Sequence, residues 1–298
     1  MADTASYDPL GGPNTWGRQR AKLVVYALLG IFALYYVVPL AVVILNSFRS
    51  LPDFSRNGLI SLPHSFSLDT WSQAWSKFCV GGTCKGIQPF FFNSVAMVVP
   101  ATIISTALGS INGYVLSKWR FTGSEVLFTL MTLGVFMPGQ MVLLPWARVL
   151  GLLGLSNTIA GLVLIHCVQG LSFTTLFCRN YYVNIPDDLI KAARIDGASF
   201  WRIFRKIVLP LSPPILIVTV IWQFTNIWNE FLFGVIFSSG TNQPITAALI
   251  ALSAGGMAVH HYGVESAAVL IAALPPLLVY FFGGRYFLRG LTQGALKS

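Results

Sequence analysis

Apolar and polar positions along this chain fall into long blocks rather than short periods. A polar stretch, Met1 to Lys22, leads into an apolar run from Leu23 to Leu45. Further apolar blocks cover roughly Phe91–Leu116, Val126–Trp146, Thr158–Cys178, Ile215–Phe237 and Ser266–Leu288. Each is close to the ~20 residues an α-helix needs to cross a bilayer. The pattern predicts an all-α integral membrane protein with six transmembrane helices. The first block is too long for a signal-peptide core and no small-residue cleavage site follows it, so it is expected to be an uncleaved helix. Pro39, Pro100, Pro138, Pro145, Pro275 and Pro276 lie in or beside the blocks. They are expected to kink helices rather than break them, because neighbouring helices satisfy the freed carbonyls.

Composition supports this class. Hydrophobic residues make up 55% of the 298, charged residues 10%, and mean hydropathy is +0.69. A soluble domain carries about 25% charged residues, so a disordered chain, a disulfide-stapled miniprotein and an ordinary cytosolic enzyme are excluded. The net charge of +9 then becomes a question of sidedness. With the N-terminus inside, Arg49, Arg56, Lys77, Lys85 and Arg148 lie outside and the other fourteen of 19 basic residues lie inside. That agrees with the positive-inside bias, so both termini are expected in the cytoplasm (N-in/C-in). The excess charge needs no nucleic acid; the partner it implies is membrane lipid.

The expected layout is a cytoplasmic segment 1–22, a single transmembrane domain 23–290 and a cytoplasmic tail 291–298. The outside loop, about Asn46–Pro89, carries Trp71 and Trp75, suited to the membrane interface. It also holds Cys79 and Cys84, with four residues between them, two of them glycine. In an oxidising compartment these form a disulfide or stay a pair of thiols. Gly109 and Gly113 permit close helix approach, with packing inside the chain favoured over a dimer face.

The second long loop, about 179–214, is cytoplasmic. Pro186, Asp187 and Asp188 mark a helix start. Leu189, Ala192, Ala193 and Ile195 follow as a short apolar face, and Gly197 interrupts it. A second pattern sets Phe200, Ile203, Phe204 and Ile207 on one side and Arg202, Arg205 and Lys206 mainly on the other. These apolar faces need the membrane surface, the bundle or another protein.

Here the chain resembles a known family. Ala192–Ala193, three residues, Gly197, nine residues and Ile207–Val208–Leu209–Pro210 look like the EAA signature of ABC importer permeases. Trp228–Asn229–Glu230–Phe231 with Gln243–Pro244–Ile245–Thr246 resembles the fifth-helix region of maltose-type carbohydrate permeases. The stretch from Tyr286 to Lys297, containing Gly290, Leu291, Thr292, Gln293 and Gly294, is similar to the tail of the smaller permease of that pair. The loop from Cys79 to Gly86 with Gln88–Pro89 resembles the glucose/mannose-type subgroup.

The resemblance implies the type I ABC importer permease fold and a binding-protein-dependent sugar importer working by alternating access. It implies a second homologous permease in a heterodimer, two ATPase subunits and an extracytoplasmic sugar-binding protein. Segment 186–210 would couple to the ATPase through Lys191, Ala192, Ala193, Asp196, Gly197, Ile207, Leu209 and Pro210. The tail Gly290–Gly294 would contact the ATPase as well. One residue departs from the pattern: Lys191 stands where the family has an acid.

This chain contains no Gly-Lys pair and hence no P-loop. ATP and Mg are therefore expected on the partner ATPase, with no cofactor, metal or catalytic residue here and no enzymatic activity. His260–His261 reads as a surface loop. An ionisable group in lipid is a functional hypothesis by default. Glu230 is therefore read either as an interfacial packing residue or, with Asn226 and Asn229, as part of a translocation path. His166, Gln169, Asn93 and Asn112 are read mainly as helix–helix hydrogen-bonding groups. The alternative function is an ion-driven secondary transporter of a small polar solute. It would need several buried acids and paired broken helices. The expected location is a prokaryotic inner membrane, crossed several times.

Overall fold

Backbone groups in lipid must be satisfied within their own segment, and helices do this most simply. The computed structural model of the protein describes residues 16–50, 52–54, 58, 61–64, 66–80, 83–254 and 261–295. Among the described residues the architecture is helical, with only an isolated bridge between Val80 and Thr83. The segment Met1–Thr15, Gly81, Gly82 and His260 lie outside the described residues.

The helices are α1 (Trp16–Asn46), α2 (Asp69–Ser72, running into a wide turn at Gln73–Lys77), α3 (Gln88–Lys118), α4 (Ser124–Val135), α5 (Leu143–Leu153) and α6 (Ile159–Tyr182). Then come α7 (Asp187–Ile195), α8 (Phe200–Ile203), α9 (Pro213–Asn229), α10 (Leu232–Phe237), α11 (Ile245–Ala254) and α12 (Tyr262–Ala295). Stretches Arg20–Asn46, Gln88–Lys118, Ile159–Tyr182 and Tyr262–Gly284 are long and apolar enough to cross a bilayer. Two bent pairs, Ser124–Val135 with Gly139–Leu153 and Phe200–Leu211 with Pro213–Asn229, raise the number to six if each counts as one span.

Pro39, Pro100, Pro275 and Pro276 lie inside continuous helices and break none of them. Two of the expected spans are broken rather than kinked. The block Val126–Trp146 stops at Val135 and restarts at Leu143, with a bend of 105° between the two pieces. Pro138 is extended there (ψ 134°). It offers no N–H and holds the residue before it out of the helical region. The block Ile215–Phe237 stops at Asn229, where Glu230 turns extended (ψ 126°). The N–H of Phe233 donates to both Glu230 carboxylate oxygens at 3.1 Å, which caps α10.

The main helix pair is α3 against α6, and the small residues of α3 set its separation. A Cβ on Gly109 would lie 2.1 Å from Thr174 Oγ1, and one on Gly113 2.7 Å from the Arg179 nitrogen. Thr174 also donates to the Ser105 carbonyl at 2.9 Å. The two glycines are thus used inside the chain, where close backbone approach replaces the hydrophobic drive that lipid removes.

Two cores flank this seam. One gathers Phe90, Met97, Leu162, Ile165, Trp228 and Ile245, and Trp228 Nε1 donates to the Ala272 carbonyl at 2.9 Å, joining α9 to α12. The other gathers Tyr114, Cys178, Tyr182, Ile190, Ile203 and Phe204. Helix α1 is exposed along most of its length, as a lipid-facing span is. Its end is secured by the buried Arg49, whose Nε donates to Asp53 Oδ2 at 2.8 Å and whose guanidinium lies 4.3 Å from the Phe54 ring centre. Trp71 and Trp75, expected at the interface, are half-buried against Phe48 and Phe91. Cys79 and Cys84 are disulfide-bonded.

Replacing Gly109 by Val forces α3 and α6 apart. The expected cost is about 1–3 kcal/mol of stability, seen as a lower melting temperature of the purified protein in detergent. Gly30→Val is the control and leaves it unchanged, because a Cβ there meets nothing within 4 Å.

Candidate functional site

Two features carry candidate function: the α7–α8 loop at one end of the α3–α6 pair, and a cavity among the helices.

Helix α7 ends at Ile195, and Gly197 two residues on has φ +75°. Its N–H donates to the Arg194 carbonyl and that of Ala198 to the Ala193 carbonyl, a paired closure that needs a left-handed residue. A Cβ on Gly197 would meet nothing within 4 Å, so the backbone angle alone selects glycine here.

The loop is bolted to the end of α3. Tyr114 stacks on Phe204 at 5.4 Å and meets Phe200 at 4.9 Å. The Trp119 indole N–H donates to the Tyr114 hydroxyl. Arg194 lies 4.0 Å from the Trp119 ring centre and donates to the Lys118 carbonyl at 3.0 Å. Lys118 Nζ donates to the Ile185 carbonyl and to Asp187 Oδ1, both at 2.6 Å. The Tyr182 hydroxyl joins Ser110 at 2.7 Å and Ser212 at 3.0 Å, tying α3, α6 and the start of α9 together.

The choice among membrane surface, bundle and partner is thus divided by residue. Phe200, Ile203, Phe204 and Ile207 turn toward the bundle, as their pattern predicts. In α7 the predicted face is revised: Ile190 and Ala193 pack on the core, while Leu189, Ala192 and Ile195 are exposed. Ile185, Ile190 and Ala193 close one side of the turn, so Leu189 and Ile195 are left on the other. Ile195 is 87% exposed. Lys191, Asp196, Leu209 and Pro210 are exposed too, and Lys191 Nζ lies 3.4 Å from Asp188 Oδ1. The tail residues Gly290–Gly294 continue α12, whose backbone runs to Ala295.

The second feature is a cavity of about 490 Å³ between α4, α5, α6 and α9. Its polar lining is His166, Gln169, Ser172, Gln223, Asn226 and Glu230. Asn226 and Glu230 therefore converge, with Asn226 on the exposed rim; Asn229 is absent from the lining. His166 and Gln169 belong to the cavity as well, a role the sequence pattern ranks below helix–helix bonding. The signal for it was polarity one turn apart on α6. Asn93 instead donates to the Thr241 and Gln243 carbonyls. His261 packs on Phe78 at 5.1 Å.

Comparison with known proteins adds a lineage. A family model described as binding-protein-dependent transport system inner membrane component matches residues 105–293. A probable ABC transporter permease of Pyrococcus horikoshii is 44% identical over 188 residues, covering 62% of this chain and 68% of that protein. A xylose/arabinose import permease of Haloferax volcanii is 30% identical, covering 92% of this chain and 93% of its own length. Among solved structures, a bacterial ABC transporter involved in the import of the acidic polysaccharide alginate aligns with a TM-score of 0.80 and 20% identity, covering 93% of this chain and all of that one.

The Lys118 ammonium beside Asp187 holds that carboxyl below the usual carboxylate range. A depressed value means the link contributes above the ordinary range, near pH 4, and is lost as pH falls through the lowered value. Hydrogen-exchange protection of 187–195 should therefore exceed that of Lys118→Met at pH 7. The difference should shrink on acidification below about pH 4, down to the part that the Lys118 bond to the Ile185 carbonyl supplies.

Proposed function

We propose a function from one premise: the chain belongs to the family of binding-protein-dependent transport system inner membrane components. It is a multi-pass inner-membrane permease with the type I ABC importer fold, and a transport subunit rather than an enzyme. That membership displaces the ion-driven alternative.

The proposed cargo is a neutral sugar. The Haloferax permease, named for xylose and arabinose import, supports this over nearly the whole chain. The proposed assembly pairs this chain with a second homologous permease. Two ATPase subunits, carrying ATP and Mg, dock at the 186–210 loop and the Gly290–Gly294 tail. A sugar-binding protein delivers cargo on the other side. The proposed layout keeps 1–22 and 291–298 cytoplasmic around the membrane domain 23–290.

One observation carries the coupling role. The loop packs Ile190, Ile203 and Phe204 into the bundle while leaving Leu189, Ala192 and Ile195 exposed three residues apart. Positions three apart share a helix face. A partner cleft can take that stripe while the buried side passes the displacement to α3 and α6. Lys191 stands at the rim, held toward Asp188, so it replaces the family's acid with a charge pair on one turn. ATPase closure would then move the helix ends as rigid bodies, and the central path, with Asn226, Glu230 and the neighbouring Asn229, would change the side it opens to.

Gly197→Val tests the coupling turn. A left-handed turn costs an L-residue about 1–2 kcal/mol, more for a β-branched one, so α7 shifts against its partner. Sugar uptake by cells should fall at least about tenfold with the chain still in the membrane, and Gly197→Asn should recover most of it. Undiminished uptake in the Val variant would sink the coupling role.

A further inference from the structure

We infer that the cavity between α4, α5, α6 and α9 is a sugar subsite on this chain, binding one neutral pyranose or furanose ring through His166, Gln223 and Glu230. The inference rests on the sugar-importer reading and gives this subunit a share in recognising the cargo.

The argument begins with buried polar atoms that lack partners. His166 is 4% exposed and Gln223 2%. His166 Nε2 and Gln223 Oε1 have no hydrogen-bond partner among the described residues. Burying such atoms unmatched is costly, and native interiors rarely keep them so. Both residues line the same cavity. Gly170 makes room for one of them: a Cβ there would lie 1.8 Å from Gln223 Nε2.

Glu230 Oε2 lies 4.0 Å from His166 Nε2. That is beyond hydrogen-bond reach, but one hydroxyl oxygen fits between the two groups. It accepts from one and donates to the other, as an alcohol does and a simple cation or anion does not. The carboxylate is held in place by the Phe233 N–H, so it is pre-positioned. Gln223 Oε1 accepts from a second hydroxyl, and Asn226 at the rim offers a third contact.

An apolar wall stands beside these groups. Trp222 lies flat on Phe173, with 14° between the rings, and both line the cavity. A sugar ring presents hydroxyls at its edge and C–H groups on its face, which this combination matches. The volume of about 490 Å³ falls within the usual range of small-molecule pockets, roughly 300–1,000 Å³. Among the described residues the lining holds one carboxylate and no Lys or Arg, which favours a neutral sugar over an acidic one.

The test uses the complete importer in proteoliposomes, with radiolabelled glucose, xylose, arabinose and maltose, each supplied with its binding protein. Gln223→Leu is the informative variant. It removes the unpartnered oxygen at similar size, together with the 3.5 Å bond from Gln223 Nε2 to the His166 carbonyl, so if that oxygen meets no sugar, uptake should be undiminished. The expected result is a complex at least as heat-stable as wild type whose uptake rate falls about tenfold or more. Asn226→Ala, on the exposed rim, should lower uptake by a smaller factor. Undiminished uptake in Gln223→Leu overturns the subsite while leaving the importer standing. A Gln223→Leu complex that melts earlier or does not assemble makes Gln223 a packing residue and also overturns it. A wild-type importer that takes up none of the four sugars overturns the sugar reading and the subsite with it.

Discussion

The close approach of Gln88–Lys118 to Ile159–Tyr182 is the contact on which the rest of this molecule is hung. In lipid the side chains gain nothing from leaving water, so packing and hydrogen bonds must hold helices together. Gly109 and Gly113 let the backbones touch, and Thr174 bonds across to the Ser105 carbonyl. The same two helices then supply both functional ends. Tyr114, Lys118 and Tyr182 hold the α7–α8 loop. His166, two to three turns from Thr174 along α6, enters the cavity.

Magnitudes decide what makes the loop stiff. The Lys118–Asp187 pair has its carboxylate 68% exposed, and an ion pair of that kind contributes about 1 kcal/mol or less. The rings do more. Tyr114 with Phe200 and Phe204, and Trp119 with Phe200, give three aromatic contacts. Each adds about 0.5–1.5 kcal/mol beyond the area it buries. Arg194 over Trp119 adds an interaction of a similar kind. The aromatic cluster is therefore the bearing of the proposed coupling, and the charges mainly orient it.

Much of this was legible in the chain. Long apolar blocks show spans whatever their packing, and small residues four apart show a close helix contact. The loop signature was legible because its turn needs glycine at one backbone angle. What local periodicity could not place was the rotation of α7. A nine-residue helix has too few turns to define a face by itself, and Ile190 and Leu189 are equally apolar. Tertiary contact with Tyr182 and Ile203 decides which one is buried. Nor does polarity along α6 show that His166 faces the carboxylate of Glu230, because that meeting depends on where α9 stops.

The missed break at Pro138 and the unforeseen cavity have one cause. A kinked but continuous third span would carry Pro145 and Trp146 straight on from Val135, filling the space beside α6 and α9. Instead α5 swings away by 105°, so that Gly134 and Val135 line one side of an opening and Pro145 and Trp146 another. Glu230 then interrupts α9 at the same level and turns its carboxylate back to cap α10, which brings it near His166. Two helix breaks, one imposed by a missing N–H and one stabilised by a carboxylate cap, thus create a polar hollow inside an apolar bundle. Neither break strands its backbone in lipid, because both border the cavity, where polar groups are tolerated.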